Sequence, residues 1–307
     1  MVRCQCNHLT YFAILLQNSP TVMEEALLAP LTYLTIIGCS LSASASLITI
    51  VLYIFSRKKL HDSTTKIHMN LLGALLFLNI SFLASEPQAS VNSPGLCSAA
   101  AIFLHYSLLC SLTWMAIEGF HLYMLIIRVY RLYISRYLLK LCSVGWGLPG
   151  VAVMITLLIK REVYGMLVVP GSSAYRNSTM CWITSCYHIV HTLNLVYFGG
   201  IILFNMTVLI MVVQRLRKLR ANPQEQERTS CKDTVTVLGL TCLLGAAWAP
   251  ALISFGVLTI SQIFLFTILN SLQGVFICVW YCALRCHSQE VPQDGASPVD
   301  LNDSCIA

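Results

Sequence analysis

The segment from Pro30 to Phe55 reads PLTYLTIIGCSLSASASLITIVLYIF and contains no charged side chain. A helix needs about 20 mostly apolar residues to cross the ~30 Å hydrocarbon core of a bilayer, so this segment is long enough to span one. No segment of the chain shows the ten-residue alternation that is typical of a membrane β-strand, which leaves the helix as the spanning structure. Small residues dominate from Gly38 to Ser46, which suits close contact with neighbouring helices.

Long apolar runs recur along the rest of the chain. Hydrophobic residues make up 57% of the 307 residues and charged residues only 10%, whereas soluble domains carry about 25% charged residues. Seven runs are long enough to span a bilayer: Pro30–Phe55, Ile67–Ser85, Leu96–Ile127, Leu138–Ile159, Ser185–Val213, Thr234–Leu258 and Ile260–Cys282. The sequence therefore predicts an all-α membrane protein with a bundle of seven transmembrane helices, which excludes the soluble classes.

The basic residues of the loops predict the orientation of the bundle. Fifteen of the 19 Lys and Arg residues fall on one side of the seven runs, and cytoplasmic loops carry the excess of Lys and Arg. The N-terminus is thus predicted outside and the C-terminus in the cytosol. The glycosylation sequon at Asn177 then lies in an outer loop, as the modification requires. Cys97 and Cys181 also lie on this oxidising side, where a disulfide between them would tether the loop to the bundle.

A distinctive stretch precedes the first run: CQCNHLTYFAILLQ, from Cys4 to Gln17. In a strained turn, His8 could take the proton of Thr10, whose oxygen would attack the Leu9 carbonyl and allow cleavage between Leu9 and Thr10. The apolar residues that follow are too few to span a bilayer. Two interpretations stay open at this point: a core strand left over from a preceding domain, or a peptide ligand for which the rest of the chain is the receptacle.

Ionisable residues inside apolar runs mark functional positions, because a bilayer makes them costly. His68 in the second run and Glu118 in the third are predicted to pair across two helices, with Tyr281 as a third partner. Such a buried polar cluster is a natural latch between two packings of the bundle. The alternative interpretation is that the two groups are hydrated separately near an inner cavity.

The sixth run combines an indole with a proline, in Trp248-Ala-Pro250. Proline removes a backbone hydrogen bond and bends the helix, so Trp248 is predicted to act as a switch that senses what fills the outer cavity. The alternative is a large packing residue. Trp182 and Phe266 are its predicted companions on the outer side.

Several motifs together resemble the adhesion G-protein-coupled receptors, and within that family the G subgroup. Besides the Cys4–Gln17 stretch they are Lys66-Ile-His-Met-Asn-Leu71, Trp114-Met-Ala-Ile-Glu-Gly119, His121-Leu-Tyr123, Val144-Gly-Trp-Gly147, Cys181-Trp182 and Asn270-Ser-Leu-Gln-Gly274. The rhodopsin-like alternative fails, because no Asp/Glu-Arg-Tyr ends the third run and no Asn-Pro-x-x-Tyr lies in the seventh. Pro250 stands where the family usually has Leu.

The resemblance implies a domain plan and a role for each segment. Residues 1–9 would be the remnant of the autoproteolysis domain, 10–29 the tethered agonist and linker, 30–286 the receptor domain and 287–307 a disordered cytosolic tail. The implied agonist is anchored by Phe12, Leu15 and Leu16 and consists of Thr10, Tyr11, Phe12, Ala13, Ile14, Leu15, Leu16 and Gln17. The predicted G-protein face comprises His121, Leu122, Tyr123, Arg131, Arg215, Arg217 and Lys218.

The predicted function is that of a plasma-membrane receptor which is activated by its own peptide and couples to a heterotrimeric G protein. The resemblance of the inner core to secretin-like receptors favours the stimulatory, cAMP-raising class. The other predicted partners of the receptor are its own N-terminal fragment and membrane lipids. We expect no nucleic acid, cofactor or metal to bind, and no enzymatic activity beyond the cleavage motif. An adhesion scaffold without signalling stays open as an alternative. A transporter is disfavoured, because the sequence shows neither internal repeats nor interrupted pairs of spans.

Overall fold

The helices of the protein follow the apolar runs of its sequence. The computed structural model describes residues 25–55, 63–90, 93–124, 136–159, 161–169, 178–184, 188–221, 268 and 272–279. The helices are α1 Glu25–Phe55, α2 Ser63–Ser90, α3 Pro94–Tyr123, α4 Tyr137–Cys142, α5 Leu148–Ile159 and α6 His188–Ala221. Residues 273–279 are also helical. The sixth predicted run and most of the seventh lie outside the described residues.

Five of the described helical segments are long and apolar enough to cross a membrane. They are Tyr33–Phe55, Ser63–Ser85, Pro94–Tyr123, Tyr137–Ile159 and Thr192–Arg215, and they correspond to the first five predicted runs. Helices α1 and α6 extend beyond the apolar runs, since a helix satisfies its own backbone hydrogen bonds in water as well as in lipid. Because α1 begins at Glu25, it takes up the last residues of the predicted linker 10–29.

Helix α3 lies at the centre of the described bundle. It begins at Pro94, a residue whose fixed φ and missing N–H suit the first turn of a helix. Helices α2, α5 and α6 and both strands of a hairpin pack around it. Most of its residues are buried, including Trp114 and Glu118, so its side chains connect the two ends of the bundle.

The small residues of α1 fall on two faces. Ser40 and Ser44 are exposed, and each hydroxyl donates to the carbonyl four residues earlier in its own helix, which satisfies it without water. Ser42 is buried instead and accepts hydrogen bonds from Asn79 Nδ2 at 3.1 Å and from the Gly274 N–H at 3.0 Å. The predicted close helix contact at this run is confirmed, because a side chain at Gly274 would collide with Ser42.

The fourth span is interrupted by a π-helical turn, Ser143–Gly147, between α4 and α5. At this turn Gly145 lies against the indole of Trp114, and a Cβ at Gly145 would overlap that ring. Trp146 Nε1 donates to Asn70 Oδ1 on α2 at 3.0 Å. Two of the motifs that carried the family resemblance are therefore joined by one hydrogen bond.

A β-hairpin is the element that the sequence patterns missed. Strands β1 Tyr164–Val169 and β2 Ser178–Ile183 pair antiparallel between α5 and α6, with Tyr164 opposite Ile183. The strand pattern considered above is that of membrane-spanning strands, whereas this hairpin packs across one end of the bundle. We call that end the hairpin end, and the end where α2 begins and α3 finishes the opposite end.

The surface of the spans is apolar, as contact with lipid requires. Leu158 is 81% exposed and Ile155 51% exposed on α5, and Leu193 is 64% exposed on α6. Soluble proteins rarely expose such contiguous apolar surface. The described helices therefore bury polar groups toward one another and present hydrocarbon outward.

Candidate functional site

The predicted ion pair lies near the opposite end, between α2 and α3. His68 Nε2 is 2.9 Å from Glu118 Oε1, and the Glu118 side chain is 1% exposed. Neither Glu118 oxygen has an aligned hydrogen-bond donor among the described residues. The carboxylate thus lies in close contact with the His68 imidazole and keeps acceptor capacity for a further donor. Tyr281, its predicted third partner, lies outside the described residues.

His121 connects three helical segments one turn beyond Glu118. Its Nε2 is 3.1 Å from Thr64 Oγ1 on α2, and its Nδ1 is 3.4 Å from the Tyr137 hydroxyl at the start of α4. The His121 ring also lies 6.1 Å from the Tyr137 ring. His121 is buried in this conformation, where its contacts join the three helical segments. Its predicted place on the G-protein face stays a prediction.

The other residues of the predicted G-protein face are only partly described. Leu122 is buried, whereas Tyr123 and Arg215 are partly exposed at the end of α3 and on α6. Arg217 and Lys218 belong to α6, but the structure does not describe their side chains. Arg131 lies outside the described residues. The structure brings His68, Glu118 and His121 together and leaves the basic part of that face as a prediction.

A disulfide joins the hairpin to α3. Cys97 and Cys181 are bonded, with their Cα atoms 5.1 Å apart, as predicted. The bond places β2 over the start of α3, where Ser98 Oγ donates to the Tyr164 carbonyl at 2.9 Å. Trp182, the next residue along β2, is buried, and its Nε1 has no acceptor among the described residues.

His105 organises a neutral network beneath the hairpin. Its Nε2 is 3.0 Å from Asn194 Oδ1 on α6, and its Nδ1 is 2.7 Å from the Tyr164 hydroxyl on β1. An amide oxygen only accepts, so Nε2 carries the proton and Nδ1 accepts from Tyr164. Burial raises the pKa of Tyr164 to about 12, although a hydrogen bond with Thr156 lowers it. The Tyr164 hydroxyl therefore remains a donor at physiological pH.

Sequence reasoning missed this network although a signal for it was present. His105 is an ionisable residue inside the third predicted run, and the rule that singled out His68 and Glu118 applies to it equally. Its partners could not be found in the same way. Tyr164 lies on a strand that was not predicted, and Asn194 is an ordinary amide in a long helix.

The other predicted site residues lie outside the described part of the chain. These are the cleavage motif His8, Leu9 and Thr10, the remainder of the predicted agonist to Gln17, the switch residues Trp248 and Phe266, and the sequon Asn177. Within the described residues, no group of three or more His, Cys, Asp or Glu is placed to hold a metal ion.

Comparison with known proteins identifies the family. A profile of the family "7 transmembrane receptor (Secretin family)" matches residues 28–277. The human adhesion G-protein coupled receptor G5 is 49% identical over 296 residues, which cover 94% of this chain and 56% of the relative. The mouse G5 receptor is 48% identical over 295 residues, with the same two shares of 94% and 56%.

A more distant relative gives the same result over the same region. The mouse adhesion G-protein coupled receptor G2 is 40% identical over 288 residues, which cover 92% of this chain and 28% of the relative. The chain thus spans about half the length of the G5 relatives, and the predicted resemblance to the G subgroup is confirmed. The chain therefore belongs to the adhesion G-protein-coupled receptors, multi-pass plasma-membrane proteins of the secretin-type seven-transmembrane family.

Proposed function

We propose that this chain is the signalling domain of a receptor that its own segment Thr10–Gln17 switches on. The observation that carries the proposal is the buried pair of His68 and Glu118, which joins α2 to α3 near the opposite end of the bundle. A receptor must hold two packings whose difference in free energy a ligand can overcome. A buried pair whose carboxylate accepts further hydrogen bonds provides such an element.

Burial of a pair of ionisable groups has a free-energy cost. Removing two charges from water costs several kcal/mol per ion, and close contact offsets that cost only with additional hydrogen bonds. Neither Glu118 oxygen has an aligned donor among the described residues, so the stability of this packing depends on what else reaches the site. A donor that arrives or departs changes the balance, and we assign that role to Tyr281.

The predicted agonist suits intramolecular action. Burial of Phe12, Leu15 and Leu16 contributes roughly 1.5–3 kcal/mol each, while ordering the peptide backbone costs about 1–2 kcal/mol per residue. The free peptide would bind weakly for that reason. A short tether provides an effective concentration on the order of millimolar, so exposure of the peptide becomes the regulated step.

The partner that we propose is the stimulatory heterotrimeric G protein. His68 and Glu118 match the inner polar core that secretin-like receptors share, and the matched family profile is that of the secretin family. The basic residues of the proposed docking face, Arg131, Arg215, Arg217 and Lys218, lie on the side that the loop charges predict to be cytosolic.

The test is a G-protein activation assay on the whole chain in membranes. We expect Phe12→Ala to abolish basal cAMP production at matched surface level. The control is Ser19→Ala, which lies in the predicted linker just beyond the agonist segment and should leave cAMP production unchanged. Full basal activity of the Phe12→Ala protein would mean that the segment is a strand left over from a preceding domain.

The same assay separates receptor from scaffold. A scaffold would activate no G protein with or without Thr10–Gln17, whichever G-protein class is supplied. If activation occurs with another class but not with the stimulatory one, the receptor proposal stands and the choice of partner is overturned.

A further inference from the structure

A cavity of about 620 Å³ lies between α5 and α6, with α3 behind it. This volume falls within the roughly 300–1,000 Å³ of typical small-molecule pockets. It occupies the half of the spans nearer the hairpin, between the last turns of α5 and the first turns of α6. The predicted agonist, by contrast, is expected to enter among the helices from the hairpin end.

The cavity opens toward the lipid and not toward water. Ile155 on α5 and Ile189 and Leu193 on α6 line it, and each is more than half exposed on the surface of the spans. No Lys, Arg, Asp or Glu is among its lining residues. A molecule that fills the cavity therefore comes from the bilayer and is uncharged where it touches the protein.

Four polar side chains interrupt this apolar lining: His105, Thr156, Asn194 and Tyr197. Both nitrogens of His105 and the Tyr197 hydroxyl already have partners within the protein, which leaves Asn194 and Thr156 to meet a ligand. Asn194 uses Oδ1 to accept from His105, while its Nδ2 has no acceptor among the described residues. The Thr156 hydroxyl donates to the Ala152 carbonyl at 2.9 Å and also lies beside the Tyr164 hydroxyl. A hydroxyl oxygen has two lone pairs, so Thr156 keeps capacity to accept a hydrogen bond. The pair thus offers one donor and one acceptor, which is what a single alcohol group needs.

The remaining length of the cavity is mostly apolar, since the Tyr197 hydroxyl is paired with Thr113, and it is about as long as a fused-ring skeleton. From Thr156 to Leu148 along α5 there are eight residues, or about 12 Å of helix at 1.5 Å per residue. Leu148, Pro149 and Leu109 line the end farthest from the hairpin. A phospholipid headgroup would lack a cationic partner here, and an acyl chain would leave Asn194 Nδ2 unpaired in hydrocarbon, which is costly.

We propose that this cavity is a binding site for a membrane sterol. The sterol hydroxyl accepts from Asn194 Nδ2 and donates to Thr156 Oγ1, and the ring system lies along α5 toward Leu148. The site lies on the lipid side of α3 and is independent of the proposed agonist and of G-protein coupling.

The site can be tested with a photoreactive cholesterol analogue that carries a diazirine and an alkyne, applied to cells that express the full chain. Labelled protein is isolated at matched surface level, and the labelled peptides of α5 and α6 are quantified. Ala152→Phe puts a ring into the cavity and should reduce labelling on the order of tenfold. The matched control is Val151→Phe, which adds the same side chain to the adjacent residue, exposed to lipid but outside the cavity.

The hydroxyl contact is tested by a second pair of variants. Thr156→Val removes the acceptor and should weaken competition by unlabelled cholesterol about two- to tenfold. The control is Thr207→Val, because Thr207 is another exposed intramembrane threonine that donates to its own helix, at 2.7 Å to the Leu203 carbonyl. Cholestane, which has the rings without the hydroxyl, should compete less well than cholesterol.

Three results would overturn the proposal. Equal labelling of the Ala152→Phe and Val151→Phe proteins would show ordinary contact with surrounding lipid. Equal competition by cholestane and cholesterol would remove the role of Thr156 and Asn194. Labelling of the same peptides by a photoreactive phosphatidylcholine, at a level that cholesterol does not reduce, would assign the cavity to phospholipid.

Discussion

The two ends of the bundle hold their helices by different chemistry. At the hairpin end, α3 is joined to β2 by a disulfide, and His105 is satisfied by two uncharged partners. At the opposite end, α2 and α3 meet through two ionisable groups, and Glu118 lacks an aligned donor among the described residues. The hairpin end therefore combines a covalent bond with a histidine that is hydrogen-bonded at both nitrogens, whereas the opposite end buries a carboxylate with unused acceptor capacity.

This contrast separates a fixed end from one that can switch. A neutral histidine whose two ring nitrogens are both hydrogen-bonded gains little from a rearrangement, and a disulfide limits how far the elements that it joins can separate. A buried carboxylate that accepts further hydrogen bonds responds to any donor that approaches or leaves, because an unsatisfied buried charge is costly. We infer that ligand binding near the hairpin end leaves that end in place and changes the packing of α2 and α3 at the other.

The largest effect is expected at the charged end. His68→Ala leaves Glu118 buried without its partner and should destabilise the protein by roughly 3–5 kcal/mol. The double variant His68→Leu with Glu118→Leu removes both charges and should be more stable than His68→Ala. Thermal unfolding of the detergent-solubilised proteins measures both changes. The single variants His68→Leu and Glu118→Leu complete the cycle, and simple additivity of their two effects in the double variant would show that the groups do not act as a pair.

The next largest effect is expected from loss of the Cys97–Cys181 disulfide. Cys97→Ala should cost about 2–4 kcal/mol and reduce surface expression. Cys181→Ala and the double variant should match it, since each removes the same bond. Cys142→Ala, which changes a free, half-buried cysteine of the fourth span, is the control in the same surface-expression assay. A double variant that is clearly worse than either single variant would contradict the idea that the bond is their only shared role.

An intermediate effect is expected at the π-helical turn of the fourth span. Gly145→Ala forces a Cβ into the Trp114 indole and should destabilise by about 1–3 kcal/mol. Gly147→Ala adds the same methyl group two residues later, where nothing lies within 4 Å of the new atom, and should be neutral or slightly stabilising. Melting temperatures of the two purified proteins test this prediction. Equal values would mean that the Trp114 ring can move aside without loss of stability.

The smallest effect is expected in the neutral network. Tyr164→Phe removes the donor to His105 Nδ1 and should cost about 1 kcal/mol, with G-protein activation unchanged. Tyr33→Phe alters an exposed hydroxyl on α1 and serves as the control for loss of a phenol oxygen. A change in basal signalling of the Tyr164→Phe protein, at unchanged surface level, would show that the hairpin end also switches.

Much of the candidate site at the opposite end could be predicted, because intramembrane charge is rare. His68 and Glu118 are ionisable residues within apolar runs. Such residues are costly in a bilayer, and a base and an acid on neighbouring helices lower that cost when they pair. His121 was predicted on the G-protein face, which stays a prediction, and the structure describes it buried between Thr64 and Tyr137. Residue type alone does not tell whether a histidine at a helix end faces a partner or a neighbouring helix.

The membrane class, the five described spans and the Cys97–Cys181 bond could be predicted from the sequence. Hydrophobic length is a local property of each segment, so no packing information is needed to recognise a span. Three features emerge only from the packing: the cavity between α5 and α6, the contacts of His105 with Tyr164 and Asn194, and the contact of Gly145 with Trp114. These contacts join residues 31 to 89 positions apart, and such contacts arise from how the helices pack against one another, which no single segment encodes.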